Sequence, residues 1–531
     1  MSRVQEQKRY EELSPFELKN KLIGMAKSHH EKMMLNAGRG NPNWVATTPR
    51  EAYFLLGNFA LEEGHRVLSR SGLAGAPQTQ GMGERLVRFC ERHAEHIGAQ
   101  FLADSYRYVT ETLQCDGDAY IAEMVDGILG DHYPVPDRIL PYTEKIVGAY
   151  LDLTMCDGRP PEGTMDLFAT EGGTAAMTYV FNSLKENFLL NPGDKIALGT
   201  PIFTPYLEIP PLNDYQLVSI EVQQDEDHNW QYPPQELEKL KDPSIKAFFL
   251  VNPSNPASVS IDEASLKMVA DLVQNERQDL ILLTDDVYGT FVNGFRSLAA
   301  TAPRNTILVY SYSKYFGATG WRLGVIGIQE DNVLDEMIAA LPENKRTGLH
   351  DRYSSIATEP EKIRLIDRMV ADSRAVALNH TSGLSTPQQV MMALFSLQEL
   401  LDADSRLYRK QVQDLIAERY EALYTGLGTQ GGESDCYAKY YTTIDIPQLA
   451  QERYGEEFAA WLKQEHEAID FVWQLADTKN VVLMDGGGFD APEMSVRVSL
   501  ANLFTADYTK IGQAISELLD EYKQQWERQK A

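Results

Sequence analysis

Lys314 stands between an apolar, β-branched run (Ile307, Leu308, Val309) and a glycine-rich turn, in the stretch 308–328, LVYSYSKYFGATGWRLGVIGI. An ammonium at the end of a buried strand is costly unless it is paired or chemically converted. One conversion that removes the cost is a Schiff base with an aldehyde cofactor, and pyridoxal phosphate (PLP) is the commonest such aldehyde. That chemistry asks for a carboxylate to keep a pyridine nitrogen protonated, an anion site for a phosphate, and a cation for an amino acid's carboxylate. A lysine in an ordinary surface loop asks for none of these, so the rest of the chain decides.

Each requirement has a candidate in a separate segment. Residues 168–176, FATEGGTAA, place Gly172, Gly173 and Thr174 in a turn opening a helix, where free backbone N–H groups attract anions. DLILLTDDVYGTF supplies Asp285, Asp286 and Tyr288 at the end of an apolar run; two adjacent acids also suit a loop end or helix cap. IKAFFLVNPSNPAS closes another run with two Asn-Pro dipeptides three apart, more than turn chemistry needs, the second carrying Asn255. KIALGTPIFTPY offers Phe203, a flat ring suited to stacking on a flat cofactor, although a lone Phe is usually core. Arg497 lies between two valines in MSVRVSLAN, a strand-like setting in which a charge wants a partner.

The elements that must position these residues follow from the apolar patterning. Between about 131 and 330 short apolar runs (KIALGTP, YQLVSIEV, IKAFFLVNP, DLILLTDD, NTILVYSYSK, RLGVIGI) alternate with helical segments. This is the signature of a largely parallel sheet covered on both faces, with ligands bound beyond the carboxyl ends of the strands. Residues 10–35 read as one or two helices, and 49–130 as helical with a loop over 71–83. Beyond 335 the chain is again mainly helical, with strand-like pieces at 437–446, 480–484 and 495–500. The expected division is an N-terminal arm and helical insertion (1–130), a large α/β domain (131–335) and a smaller α+β domain (336–531), as 531 residues require.

Composition narrows the function. A formal charge of -28 argues against nucleic-acid or anionic-membrane binding by bulk electrostatics. No segment reaches the roughly 18–20 apolar residues that span a bilayer, and the charged N-terminus lacks the apolar stretch of a secretory signal. The four cysteines are scattered, without metal-ligand spacing. A reduced, cytoplasmic protein without structural metal is the expectation.

Lys314 preceded by S-x-S and followed eight residues later by Arg322 resembles the pattern of fold-type I PLP enzymes, the aspartate aminotransferase superfamily. The resemblance covers most of 35–330 and the region around Arg497. It implies that Lys314 carries the cofactor, that Gly172, Gly173, Thr174 and Arg322 hold its phosphate, and that Ser311 and Ser313 contact phosphate or lysine. Phe203 would stack on the pyridine, Asn255 and Tyr288 would hydrogen-bond its 3-oxygen, Asp285 would pair with its nitrogen, and Arg497 would clamp the substrate α-carboxylate. Tyr133, in GDHYPVPDR, resembles the tyrosine that reaches the neighbouring subunit's phosphate, which implies a homodimer with shared sites, and the family implies a larger homo-oligomer. LNAGRGNPNW (35–44) resembles the loop across the active-site mouth, where Gly38 admits the substrate and Arg39 points a cation inward.

Within the superfamily the chain looks most like the aspartate 4-decarboxylases, which also transaminate. Its length, the arginine between the glycines of the mouth loop, and SYSKYFGATGWRLG carry that likeness. It implies β-decarboxylation of L-aspartate to L-alanine and CO2, with an aspartate aminotransferase side activity on 2-oxo acids and Lys314 as general base. Plain aspartate aminotransferases grip the distal carboxylate with a partner-subunit arginine in a segment resembling 379–387, NHTSGLSTP, which has no arginine here. Arg39 is the expected substitute, then Lys19. Two alternatives stand beside this reading: an ordinary aminotransferase for aspartate, alanine or aromatic acids, and a non-enzymatic regulator. The complete Lys, Asp and Arg set and the lack of a basic helix-turn-helix argue against the regulator.

Overall fold

Seven strands form the central sheet of the computed structural model, which describes residues 15–28, 34–212, 218–223, 229–374 and 383–531. They are β1 (Met165–Thr170), β2 (Lys195–Thr200), β3 (Val218–Gln223), β4 (Ile245–Val251), β5 (Ile281–Asp285), β6 (Thr306–Ser311) and β7 (Gly324–Gln329). Their spatial order is β1-β7-β6-β5-β4-β2-β3. The pairs among β2 to β6 are parallel, whereas β7 runs antiparallel to both of its neighbours. Strands β5, β6 and β7 are buried along their whole length, which is why they read as continuous apolar runs without alternation.

Two strand expectations are refined. MDLFAT, passed over in the sequence, is edge strand β1 and delivers the Gly172-Gly173 turn. RLGVIGI is the one reversed strand, so its beginning, not its end, lies beside the carboxyl ends of the others. Arg322, just ahead of it, therefore meets the same edge as Lys314.

Helices cover both faces. Gly173–Glu186 (α7 below) follows β1, and Leu365–Asp372 (α8) packs on it. Ahead of the sheet come α1 (Pro15–Ser28), α2 (Thr48–Val67), α3 (Met82–Arg92), α4 (Ile97–Arg107), α5 (Gly117–Leu129) and α6 (Pro141–Met155). Helices α2 and α3 each pack on α4 and α5, and α2, α4 and α5 pack on α9 (Thr386–Leu401), which also lies along α6. Packing therefore crosses the expected boundary at 335. The expected loop over 71–83 instead holds the second strand of a short hairpin, Ser69–Arg70 with Leu73–Ala74, and the first two residues of α3.

The smaller sheet has β8 (Tyr441–Asp445), β9 (Met484–Asp485) and β10 (Ser495–Ser499), antiparallel in the order β8-β10-β9. The long helices α10 (Leu407–Leu427) and α11 (Thr505–Lys530) pack on each other nearby. Leu35–Asn36 pairs in parallel with Val481–Val482, and Ser499 N–H donates to Ala37 O at 2.8 Å. Ala46 N–H then bonds Phe316 O at 3.2 Å. The mouth loop is thus strung between the small sheet and the Lys314 turn. No helix among the described residues is long and apolar enough to cross a membrane.

Candidate active site

A cavity of about 320 Å³ opens along the carboxyl edge of the sheet. Lys314 lines it one turn beyond β6, and its Nζ donates to Gly40 O at 3.0 Å. The lysine turn rests on buried aromatics. Tyr310 and Tyr150 share a hydrogen bond at 2.6 Å, Tyr312 bonds Ser396 at 2.7 Å, and the Tyr315 hydroxyl donates to Glu399. Such interlocked side chains fix the backbone that presents the amine.

Asp285, the last residue of β5, enters the same cavity. It accepts from the Tyr206 hydroxyl and from Val287 N at 3.2 Å. Burial pushes its carboxyl up to about 6, against the pull of those hydrogen bonds and of Lys314. Asp286 is buried but lies outside the cavity lining; its Oδ1 accepts from the Thr284 hydroxyl, and burial pushes it up to about 7. Only the first of the adjacent acids thus meets the site.

The anion end is assembled at the start of α7. Gly172 has φ 98°, and a Cβ there would run into the Arg322 guanidinium, so the cation lies against the helix N-terminus. Gly173, the first residue of α7, faces Ser311 and Asp285: a Cβ there would make ordinary contacts, 3.5 Å from Ser311 Cβ and 3.9 Å from Asp285 Oδ2. The Ser311 hydroxyl donates to Ser313 Oγ at 2.9 Å, and Thr174, Ser311, Ser313 and Arg322 all line the cavity.

Arg497 comes from β10, opposite Thr443 of β8 and Met484 of β9. It is buried, donates to Asn255 Oδ1 at 3.0 Å and Gly38 O at 3.1 Å, and lies 4.2 Å from the Tyr441 ring and 4.7 Å from that of Phe489. Its Nε has no hydrogen-bond partner, and no ion pair to a carboxylate is found for it among the described residues. Burial lowers its pKa, while Tyr441, Tyr288 and Tyr440 oppose the shift.

Lys314, Asp285, Asn255, Tyr288, Phe203, Gly173, Thr174, Ser311, Ser313 and Arg322 therefore converge on one cavity. Asn255, expected at a 3-oxygen, here holds Arg497. Six candidates are not among the lining residues: Gly172 and Arg497, which touch it through Arg322 and Tyr441, and Gly38, Arg39, Lys19 and Tyr133. Arg39 is exposed, Lys19 is half-buried on α1, and Tyr133 is 68% exposed in the loop after α5. The pKa of Lys19 is lowered by burial first, then by Arg39 and Arg497, so the three cations share one neighbourhood. Gly38 lies between them, its would-be Cβ 3.6 Å from Lys19 Cγ. Of the segment 379–387, residues 379–382 lie outside the described residues.

Sequence reasoning missed Gly40, Tyr206 and Tyr441, which also line the cavity. Tyr206 sits three residues after Phe203, one helical turn on, and that spacing was the available signal. Tyr441, in a tyrosine-rich run, gave none.

This constellation on this sheet defines a class. Residues 168–515 match the family model for class I and II aminotransferases, and the chain belongs to that family. A bifunctional aspartate aminotransferase and L-aspartate beta-decarboxylase from Pseudomonas sp is 49% identical over 516 residues, covering 97% of this chain and 97% of that protein. Among solved structures, a single mutant of Thermus thermophilus aspartate aminotransferase superposes with a TM-score of 0.61 at 16% identity, over 96% of this chain and 97% of that one. The aspartate aminotransferase of Rhizobium meliloti gives 0.61 at 16%, over 96% of each chain. At such identity the structures speak for the fold.

The family is PLP-dependent, and the residues present fit that cofactor. An amine, a buried carboxylate, a glycine-built anion site with its arginine, and the Phe203 ring all face one cavity. A Cβ on Gly172 would displace the arginine from this cradle.

Proposed function

We propose that the protein is a PLP-dependent aspartate 4-decarboxylase, converting L-aspartate to L-alanine and CO2 with an aspartate aminotransferase side activity. The observation that carries the substrate is Arg497, a buried guanidinium whose hydrogen-bond partners are an amide oxygen, a peptide oxygen and a sulfur. A buried arginine so placed is a receptor for a carboxylate brought by the substrate. Lys19 and Arg39 add positive charge in the same neighbourhood, which suits a dicarboxylic acid. The match to the Pseudomonas sp enzyme over 97% of both chains supports decarboxylation beside transamination.

In this reading PLP, when bound, supplies the electron sink that makes a bond to the substrate's α-carbon labile. Lys314 holds it and, once free, takes the α-proton as general base. Asp285, poised near neutrality by burial, takes the place of counter-ion to the ring nitrogen, held by the Tyr206 hydroxyl. Gly172, Gly173, Thr174, Ser311, Ser313 and Arg322 receive the phosphate. Asn255 and Tyr288 serve the 3-oxygen, so Asn255 would share itself between cofactor and Arg497. Phe203, Tyr288 and Tyr441 wall out water. The distal carboxylate falls to Arg39 with Lys19, and an Arg39→Ala variant that decarboxylates aspartate as fast as the parent would remove Arg39 from that role.

The exposed Tyr133 suits a reach into a partner's site, so a homodimer with shared sites, within a larger homo-oligomer, belongs to this proposal, as does a cytoplasmic location. Incubation of the purified enzyme with aspartate and no 2-oxo acid tests the central claim. Alanine and CO2 are expected. Turnover only when a 2-oxo acid is added would leave an ordinary aminotransferase.

A further inference from the structure

Tyr441 is a second phenol whose chemistry is not used above. It is 3% exposed on β8 and faces the cavity. Its hydroxyl accepts from the Tyr288 hydroxyl at 3.1 Å, and its ring lies 4.2 Å from the Arg497 guanidinium. A Cβ on Gly40 would strike the Tyr441 hydroxyl and stand 3.4 Å from Lys314 Nζ, so phenol and amine flank the same glycine. Any larger residue at position 40 would push them apart. Tyr441 thus has over its ring the guanidinium that would hold the α-carboxylate and, across Gly40 from its hydroxyl, the amine that would act at Cα. The phenol therefore borders the space between the two, where the carbon chain of an amino acid held by both would lie.

Four charged or titratable groups face it: Lys314 from the turn after β6, Arg497 from β10, Tyr288 from the loop after β5, and Tyr440, the residue just ahead of its own strand. Burial pushes the phenol's pKa up, but Lys314 and Arg497 overcome it, and the net direction is down.

Decarboxylation and transamination differ in one proton. When the distal carboxylate leaves, the bond from Cβ to the carboxyl carbon breaks, CO2 departs, and the electron pair stays with the organic fragment. Alanine forms only when Cβ takes up a proton. Transamination makes no bond at Cβ and asks for no such acid.

We propose that Tyr441 is the general acid that protonates Cβ, and that it thereby sets the share of aspartate that leaves as alanine. The phenolic O–H breaks and the Cβ–H bond forms. The phenolate left behind faces Lys314 and Arg497 and is reprotonated from solvent before the next turnover, matching the one proton that decarboxylation consumes. This role rests on the decarboxylase reading above.

The test compares the parent holoenzyme with Tyr441→Phe, which keeps the ring beside Arg497 and loses only the hydroxyl. Alanine plus CO2 formed from aspartate is measured against transamination with an added 2-oxo acid, across pH. The ratio of the two is expected to fall about 100-fold, the scale of a lost general acid. The parent's loss of decarboxylation at high pH, where the phenol gives up its proton, should vanish with it. An unchanged ratio, or an equal fall in both reactions, overturns the role. A readout independent of turnover is the phenolate absorbance of the apoprotein: one phenol of the 26 tyrosines should ionise ahead of the rest and be missing in the variant. No difference between the two titrations counts against the proposal. A parent that releases no CO2 sinks the decarboxylase reading itself, whereas an unchanged ratio in the variant sinks only this assignment.

Discussion

The helical block α2 to α5 and the carboxyl edge of the large sheet both bury polar atoms, and they treat them in opposite ways. In the block, Glu63 is buried yet receives Arg85 through two nitrogens, at 2.8 and 2.7 Å. Glu51 caps Gly98 N at 3.0 Å, and Asp118 accepts from the backbone of Gly81 and Gly83 at 2.6 and 2.9 Å. Ser105 contributes the one buried side-chain oxygen or nitrogen in that block without a partner among the described residues. Around the sheet edge and its small-domain wall, Asn252 Nδ2 and Arg497 Nε have none among the described residues, and burial drives Asp285 and Asp286 towards neutrality. Closed hydrogen bonding stabilises a fold, whereas unspent polar capacity beside a cavity, as at Arg497 Nε behind the Tyr441 wall, is left for a ligand.

The contrast breaks most sharply at Lys314. Lys314→Ala should abolish the cofactor's visible absorbance and both reactions while leaving the helical block intact, as absorbance and circular dichroism would show. Retained absorbance would mean that another amine holds the cofactor. Next in size is Arg497→Ala, expected to raise the aspartate concentration needed and to cost on the order of 2–4 kcal/mol in kcat/KM. If kcat fell and KM did not, Arg497 would not be the carboxylate receptor.

How far the sequence carried depended on the range of the signal. The loops of the site were legible because each follows an apolar run whose end can be seen locally: Lys314 after 307–309, Asp285 after LILLT, Asn255 after FFLV. MDLFAT escaped because an acid at its second position and only partial burial at its start break the run, as befits an edge strand. The reversal of β7 was illegible, since strand direction is set by packing between distant segments. Tyr441 and Gly40 meet across 401 positions of chain, a contact no local pattern encodes. Arg39 was placed in the site by likeness alone, and it is exposed.

The block offers the converse experiment. Glu63→Gln leaves Arg85 facing a neutral amide in a mostly buried place. It should cost about 2–3 kcal/mol of unfolding free energy, less than a fully buried pair because Arg85 keeps 20% of its side chain in solvent. Turnover per folded molecule should be unchanged. A loss of turnover without a loss of stability would tie the block to catalysis and erase the distinction between the two regions.

The smallest effect is the one that separates the regions by sign. Asp285 and Asp286 have folded pKa values raised to about 6 and about 7, so the folded apoprotein keeps protons that the unfolded chain releases near pH 4. Their contribution is whole below the ordinary carboxylate range and is lost as pH rises through about 6 to 7. Asp118 is the reverse: the Gly83 and Gly81 N–H groups lower its pKa, so its contribution is present above the ordinary range and is lost as pH falls through the depressed value. Because Asp118 is only partly buried, Asp118→Ala should cost only about 0.5–1 kcal/mol at neutral pH, the scale of a lost cap, and nothing in acid. Melting curves of the apoprotein from acid to neutral pH should show the two slopes separately. Asp285→Asn should flatten the neutral limb and Asp118→Ala the acid one. If Asp118→Ala changed the neutral limb instead, the block's carboxylates would be coupled to the site rather than spent on their own helices.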